Sequence, residues 1–127
     1  MSGIISDSNH NWILEVLYNA NKADTETYRV YKCLSRYIYQ DHQFIGFVET
    51  LSPTTIRMKP LNDLADDCFF SVAFFSDFIH NKSCNTGSPD IQFYTHTGKS
   101  AYAKIGYRCI SNHWDFWISY LNKNISL

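Results

Sequence analysis

Two pairs of soft and imidazole side chains carry the most recognisable chemistry in the chain: His80-x-x-x-Cys84 and, in mirror order, Cys109-x-x-x-His113. Two His and two Cys are a legitimate tetrahedral zinc set, so His80, Cys84, Cys109 and His113 form a candidate metal site. The spacing is loose, and each pair straddles an expected boundary between elements. Nothing in the sequence therefore aims the four side chains at one point. A buried Cys109 acting as a small hydrophobe, with His80 and His113 bonding at helix ends, accounts for the same residues more simply. Cys84 also follows His80 by four residues in a polar stretch, where the imidazole could lower its pKa and make it a nucleophile. No Gly-x-Ser-x-Gly elbow or related nucleophile signature accompanies it.

Among the carboxylates, Asp63, Asp66 and Asp67 cluster at the start of an apolar helical stretch, where they suit the helix dipole and read as solvated capping groups. Asp77 differs, since it lies inside the apolar run CFFSVAFFSDFI. If its face is buried it must be protonated or paired, with Lys82, Arg57 or Arg108 as partner. Gly98-Lys99-Ser100 imitates the tail of a phosphate-binding loop, but that loop needs a glycine five positions before Gly98, and Phe93 stands there. Arg29, Lys32 and Arg36 share a helical edge with Tyr28, Tyr31, Tyr37 and Tyr39 interleaved, a combination able to hold phosphates and stack bases. A formal charge of −1 argues against nucleic acid. A tyrosine-rich inner stripe with a solvated basic edge explains these residues without a ligand. No cofactor is implied.

The chain is also unusually aromatic. Nine Tyr, nine Phe and three Trp make up 17% of its 127 residues, concentrated in 68–79 and 102–120. The first cluster is mostly Phe and reads as core. The second is Tyr and Trp interleaved with Lys104, Arg108, His113 and Asp115, as contact surfaces often are. Tyr102, Tyr107, Trp114, Trp117 and Tyr120 are accordingly the expected partner-binding residues, with Phe47 and Met58 as further candidates.

The elements that must position these groups follow from periodicity. Trp12, Ile13, Val16, Leu17 and Ala20 predict a first helix, capped by Asn9 or Asn11 and ending near Ala23. Asp24 or Thr25 begins a second, with Tyr28, Tyr31, Leu34 or Ser35, and Ile38 as its stripe, although the alternation of Tyr28, Val30 and Lys32 also permits a strand. Phe44 to Leu61 reads as an antiparallel hairpin around Ser52-Pro53-Thr54. Leu61 to Ile79 returns to helical spacing, apolar on two faces, and should be central. A loop is expected over Asn81–Pro89, a strand over Ile91–His96 and a turn at Thr97-Gly98. Lys99–Ile110 fits a strand or a helix weakened by Gly106. A final helix carries Trp114, Trp117, Ile118 and Leu121, opened by a capping box of Asn112 and Asp115.

This order predicts an α+β fold in which helices pack on a small antiparallel sheet, with an all-α bundle as the alternative. Residues 1–127 suit a single domain with its own core. The four cysteines, widely spread, read as reduced thiols, and the Asn81 and Asn124 sequons carry no weight without secretion. With no secretory signal and no apolar run long enough for a bilayer, the chain reads as cytoplasmic, without a membrane partner. The functional expectation is a non-enzymatic protein-binding module of inhibitor, immunity, chaperone or assembly-adaptor type, acting through the aromatic C-terminal surface on another protein or as a homodimer. The alternative is a small-molecule pocket or small enzyme lined by aromatics, with Asp77, His80, Cys84, His96 or His113 as its polar groups.

Overall fold

A computed structural model describes residues 10–38, 60–86 and 90–125. Among these described residues six helices follow one another: α1 (His10–Tyr18), α2 (Asp24–Ile38), α3 (Leu61–Thr86), α4 (Ile91–Lys104), α5 (Arg108–Asn112) and α6 (Trp114–Asn124). Among the described residues there is no strand, so the α+β expectation with its antiparallel sheet is overturned in favour of an all-helical fold. The expected hairpin, with Phe47 and Met58, lies outside the described residues.

The correction is sharpest in α4, which replaces the strands expected at Ile91–His96 and beyond. Its aromatic and β-branched composition resembles a strand, but Asp90 caps a helix, its carboxylate accepting the Phe93 N–H at 3.0 Å. The buried positions Tyr94, Gly98, Ala101 and Tyr102 then recur at helical spacing. Gly98 is thus no turn residue. It sits mid-helix beneath the Trp114 ring, where an added Cβ would fall 2.8 Å from one ring carbon and 3.0 Å from Cys68 Cβ.

Other boundaries move less. α1 ends at Tyr18, and Asn21 takes the left-handed conformation (φ 59°) that turns the chain into α2. In α2, Asp24 and Glu26 occupy the favourable first turn. Its buried stripe is Thr27, Val30, Cys33, Leu34 and Tyr37, which leaves Tyr28 half exposed. α3 runs on through the expected loop to Thr86, with non-helical torsions at Phe75 (φ −128°, ψ 27°). The expected capping box at Asn112 does not form; His113 is the residue before α6, and its side chain accepts no capping hydrogen bond.

α3 is the centre of the assembly, packing most extensively on α4 and also on α6 and α2, while α1 lies on α2. One core draws on all six helices, from Ile13 and Leu17 to Trp117 and Leu121. Rings organise it: Phe69 meets Trp114 edge-on at 5.2 Å and Tyr102 at 5.8 Å, and Tyr37 stacks on Phe70 at 4.6 Å. No helix among the described residues is long and apolar enough to cross a membrane.

Candidate functional site

Positions 25, 28, 29, 32, 35 and 36 of α2 recur at three- and four-residue intervals and so share one face. Their side chains Thr25, Tyr28, Arg29, Lys32, Ser35 and Arg36 form one wall of an open groove of about 630 Å³. The opposite wall comes from Asn62 and Asp66, one turn apart at the start of α3, and from Tyr107 between α4 and α5. Among the described residues, three cations therefore line a space bordered by one carboxylate, Asp66.

That carboxylate is already engaged. Arg29 Nη1 donates to Asp66 Oδ1 at 2.8 Å, and the buried Tyr102 hydroxyl donates to the same oxygen at 2.8 Å. Arg36 reaches Asp66 Oδ2 at 3.6 Å and Asp63 Oδ1 at 2.7 Å. The Cys33 thiol donates to the Asp66 carbonyl at 3.6 Å. Burial disfavours the charge on Arg29, but Asp66, together with Tyr102 and Cys33, outweighs it and holds the guanidinium pKa above its usual range. Arg36 follows the same pattern, with Asp63 dominant among its partners. The result is a pair of arginines fixed in place by acids behind them, with Lys32 beside them making no ion pair among the described residues.

The Tyr107 wall is set by a backbone device. Gly106 adopts φ 96°, a conformation glycine enters without a Cβ penalty. The Tyr107 N–H then returns to the Tyr102 carbonyl at 2.8 Å and the Gly106 N–H to the Ala103 carbonyl at 3.3 Å, the Schellman pattern that closes a helix. The fold-back brings both rings to one cation, with Arg29 Cζ 5.5 Å from the Tyr102 centroid and 5.4 Å from that of Tyr107. Arg29 also donates to Asn62 Oδ1 at 3.5 Å.

Asp66 and Asp67 correct the expectation of solvated capping carboxylates, since both are buried. Burial pushes the Asp67 carboxyl up to about 7, with Arg36 pulling the other way.

A third buried carboxylate, Glu26, ties α2 to the C-terminal helices. Glu26 Oε2 accepts the Trp117 indole N–H at 2.6 Å and stands 2.9 Å from His113 Nδ1. A carboxylate only accepts, so in that bond the hydrogen lies on Nδ1. Burial and the Glu26 charge push the Cys109 thiol up, away from the thiolate that a nucleophile or a metal requires.

Of the candidate metal ligands, His113 thus bonds Glu26, and Cys109 lies near the same carboxylate. His80 and Cys84 are exposed on the last turns of α3, with Sγ 3.8 Å from Nε2. Among the described residues no group of three or more His, Cys, Asp and Glu could hold a metal ion. Asp77 is exposed, so the buried ion pair foreseen for it does not arise. None of Asp77, His80, Cys84, His96 and His113 lines the groove; His96 borders a separate 180 Å³ hollow with Lys104.

The aromatic working face is corrected as well. Tyr102, Trp114 and Trp117 are core side chains, at most 1% exposed, because Trp117 and Tyr102 satisfy their polar tips on Glu26 and Asp66. Tyr107 and Tyr120 are half-buried, Tyr107 at the groove and Tyr120 donating to the Val16 carbonyl at 2.6 Å. Among the described residues the exposed rings are instead Trp12, Tyr18, Tyr28 and Phe116. The basic, tyrosine-flanked edge of α2 was the one sequence signal for the groove. Asn62, Asp66 and Tyr107 had none, since only the packing of α3 and the α4 cap brings them opposite α2. No protein-family model matches the chain, and no curated protein or solved structure matches it significantly.

Proposed function

We propose that the protein is a non-enzymatic binding module that holds an anionic group in the groove between α2 and the start of α3. The observation that carries this reading is the single wall bearing Arg29, Lys32 and Arg36, two of them oriented by Asp63 and Asp66 while Lys32 has no ion pair among the described residues. Cations pre-set by acids behind them lose little freedom when an anion arrives. The lining suits holding rather than turnover, because the bordering carboxylate, Asp66, is occupied by Arg29 and Tyr102. Titrating the protein with inorganic pyrophosphate tests this. Binding should weaken with salt, and Lys32→Glu should reduce affinity more than about tenfold. Because Lys32 is exposed, that variant keeps its fold; an unchanged affinity would sink the proposal.

A second reading keeps a protein partner, or a second copy of the chain, on different rings from those expected. It is favoured by Phe116, 38% exposed and stacked 5.5 Å from Tyr120, on a helix that Tyr120 joins to α1, where Trp12 and Tyr18 are also exposed. Solution mass measurement decides the homodimer form: a species of 14.8 kDa at every concentration rejects it.

A further inference from the structure

Two cations of the α2 wall lie over rings. Lys32 Nζ lies 5.8 Å from the centroid of Tyr28 on the same helix, and Arg29 lies 5.4 Å from that of Tyr107 on the opposite wall. Tyr28 is 51% exposed, so its ring is available to a ligand. Asn62 uses its side-chain oxygen on Arg29, which leaves its NH₂ to donate. Ser35 donates its hydroxyl hydrogen to the Lys32 carbonyl at 3.2 Å, which leaves its oxygen to accept.

A ligand that uses these features together has an anion for Lys32 and Arg36, a flat face for an exposed tyrosine, and polar atoms on the edge of that ring. We infer, resting on the anion-binding reading above, that the groove takes a nucleoside monophosphate, with its phosphate at Lys32 and Arg36 and its base against Tyr28. A free nucleotide fits better than a strand. The volume of about 630 Å³ is that of one small-molecule site, whereas strand binding requires cation and ring sites repeated along a track. The formal charge of −1 also supplies no wider field for a polyanion.

The test is calorimetric titration of the full chain at about 50 mM salt, where phosphate contacts are strongest. The ligands are AMP, GMP, CMP and UMP, set against ribose 5-phosphate, O-phosphotyrosine and an oligothymidylate. At least one nucleotide should bind about tenfold tighter than ribose 5-phosphate, within the range that stacking a base on an aromatic side chain provides. Tyr28→Ala should erase most of that margin and Tyr28→Phe should keep it, while Lys32→Ala weakens nucleotide and ribose 5-phosphate alike. Ribose 5-phosphate binding as tightly as every nucleotide would overturn the nucleoside assignment and leave the anion site standing. Stronger binding of phosphotyrosine or of the oligothymidylate would overturn it in favour of a phosphopeptide or a strand. Failure of every phosphate, pyrophosphate included, removes the anion site as well.

Discussion

Gly98→Ala measures how closely α4 approaches the core. In an open helix this exchange stabilises by about 1 kcal/mol, because alanine loses less backbone entropy. Here the new methyl would fall 2.8 Å from a Trp114 ring carbon and 3.0 Å from Cys68 Cβ, inside the distances real Cβ atoms keep. The ring has little room to retreat, since Phe69 lies edge-on to it at 5.2 Å and Tyr102 is 6.3 Å away. Overpacking of this kind costs about 1–3 kcal/mol and outweighs the propensity gain, so a net loss of about 1 kcal/mol is expected. Urea unfolding followed by circular dichroism reads it as a lower midpoint at unchanged slope. Trp114→Phe trims the outer ring carbons that crowd the site, and in that background Gly98→Ala should be neutral or stabilising. The two changes should therefore couple by about 1 kcal/mol or more in a double-mutant cycle. A Gly98→Ala protein at least as stable as the parent, or strict additivity with Trp114→Phe, would refute the close crossing.

Asp67 makes stability depend on pH. Its folded carboxyl titrates at about 7 against an ordinary 3.8, so between these values the folded chain keeps a proton that the unfolded chain has released. Stability therefore falls as pH rises through that window and levels off above it, by on the order of 2–3 kcal/mol between about pH 5 and pH 8. Urea midpoints at the two pH values should converge in Asp67→Asn; an equal drop in parent and variant rules the assignment out. Gly106→Ala should cost about 1 kcal/mol through its backbone alone, because φ is 96° and an added Cβ meets nothing within 4 Å. The same variant should weaken pyrophosphate binding by moving Tyr107 away from Arg29, and parental stability would contradict the left-handed cap.

Much of the helical content was written in local pattern. The extent of α2 follows from Asp24 and the spacing of Tyr31, Leu34 and Ile38, and α6 follows from Trp114, Trp117 and Leu121. The Phe-rich cluster reads as central, and α3 is central. α4 is hidden in the sequence because Ile91, Phe93 and Tyr94 suit a strand, and Gly98 and Gly106 look like breaks in a helix. One of those glycines does end α4, while the other makes room for a tryptophan, a difference no local signal contains.

Burial of polar-tipped rings and of acids was equally hidden. Trp117 and Tyr102 have the composition of a contact surface, and they are core only because Glu26 and Asp66, 91 and 36 residues away, accept their hydrogen bonds. The helical periods, the modest net charge and the basic edge of α2 are legible in the residues alone, since they depend on neighbours within a turn or on simple counting. Packing between distant segments excludes a sheet among the described residues, selects which aromatics lie inside, and sets Asn62, Asp66 and Tyr107 opposite Arg29, Lys32 and Arg36. Those outcomes depend on pairings between distant segments, where a buried carboxylate selects its donors by reach and desolvation rather than by position in the chain.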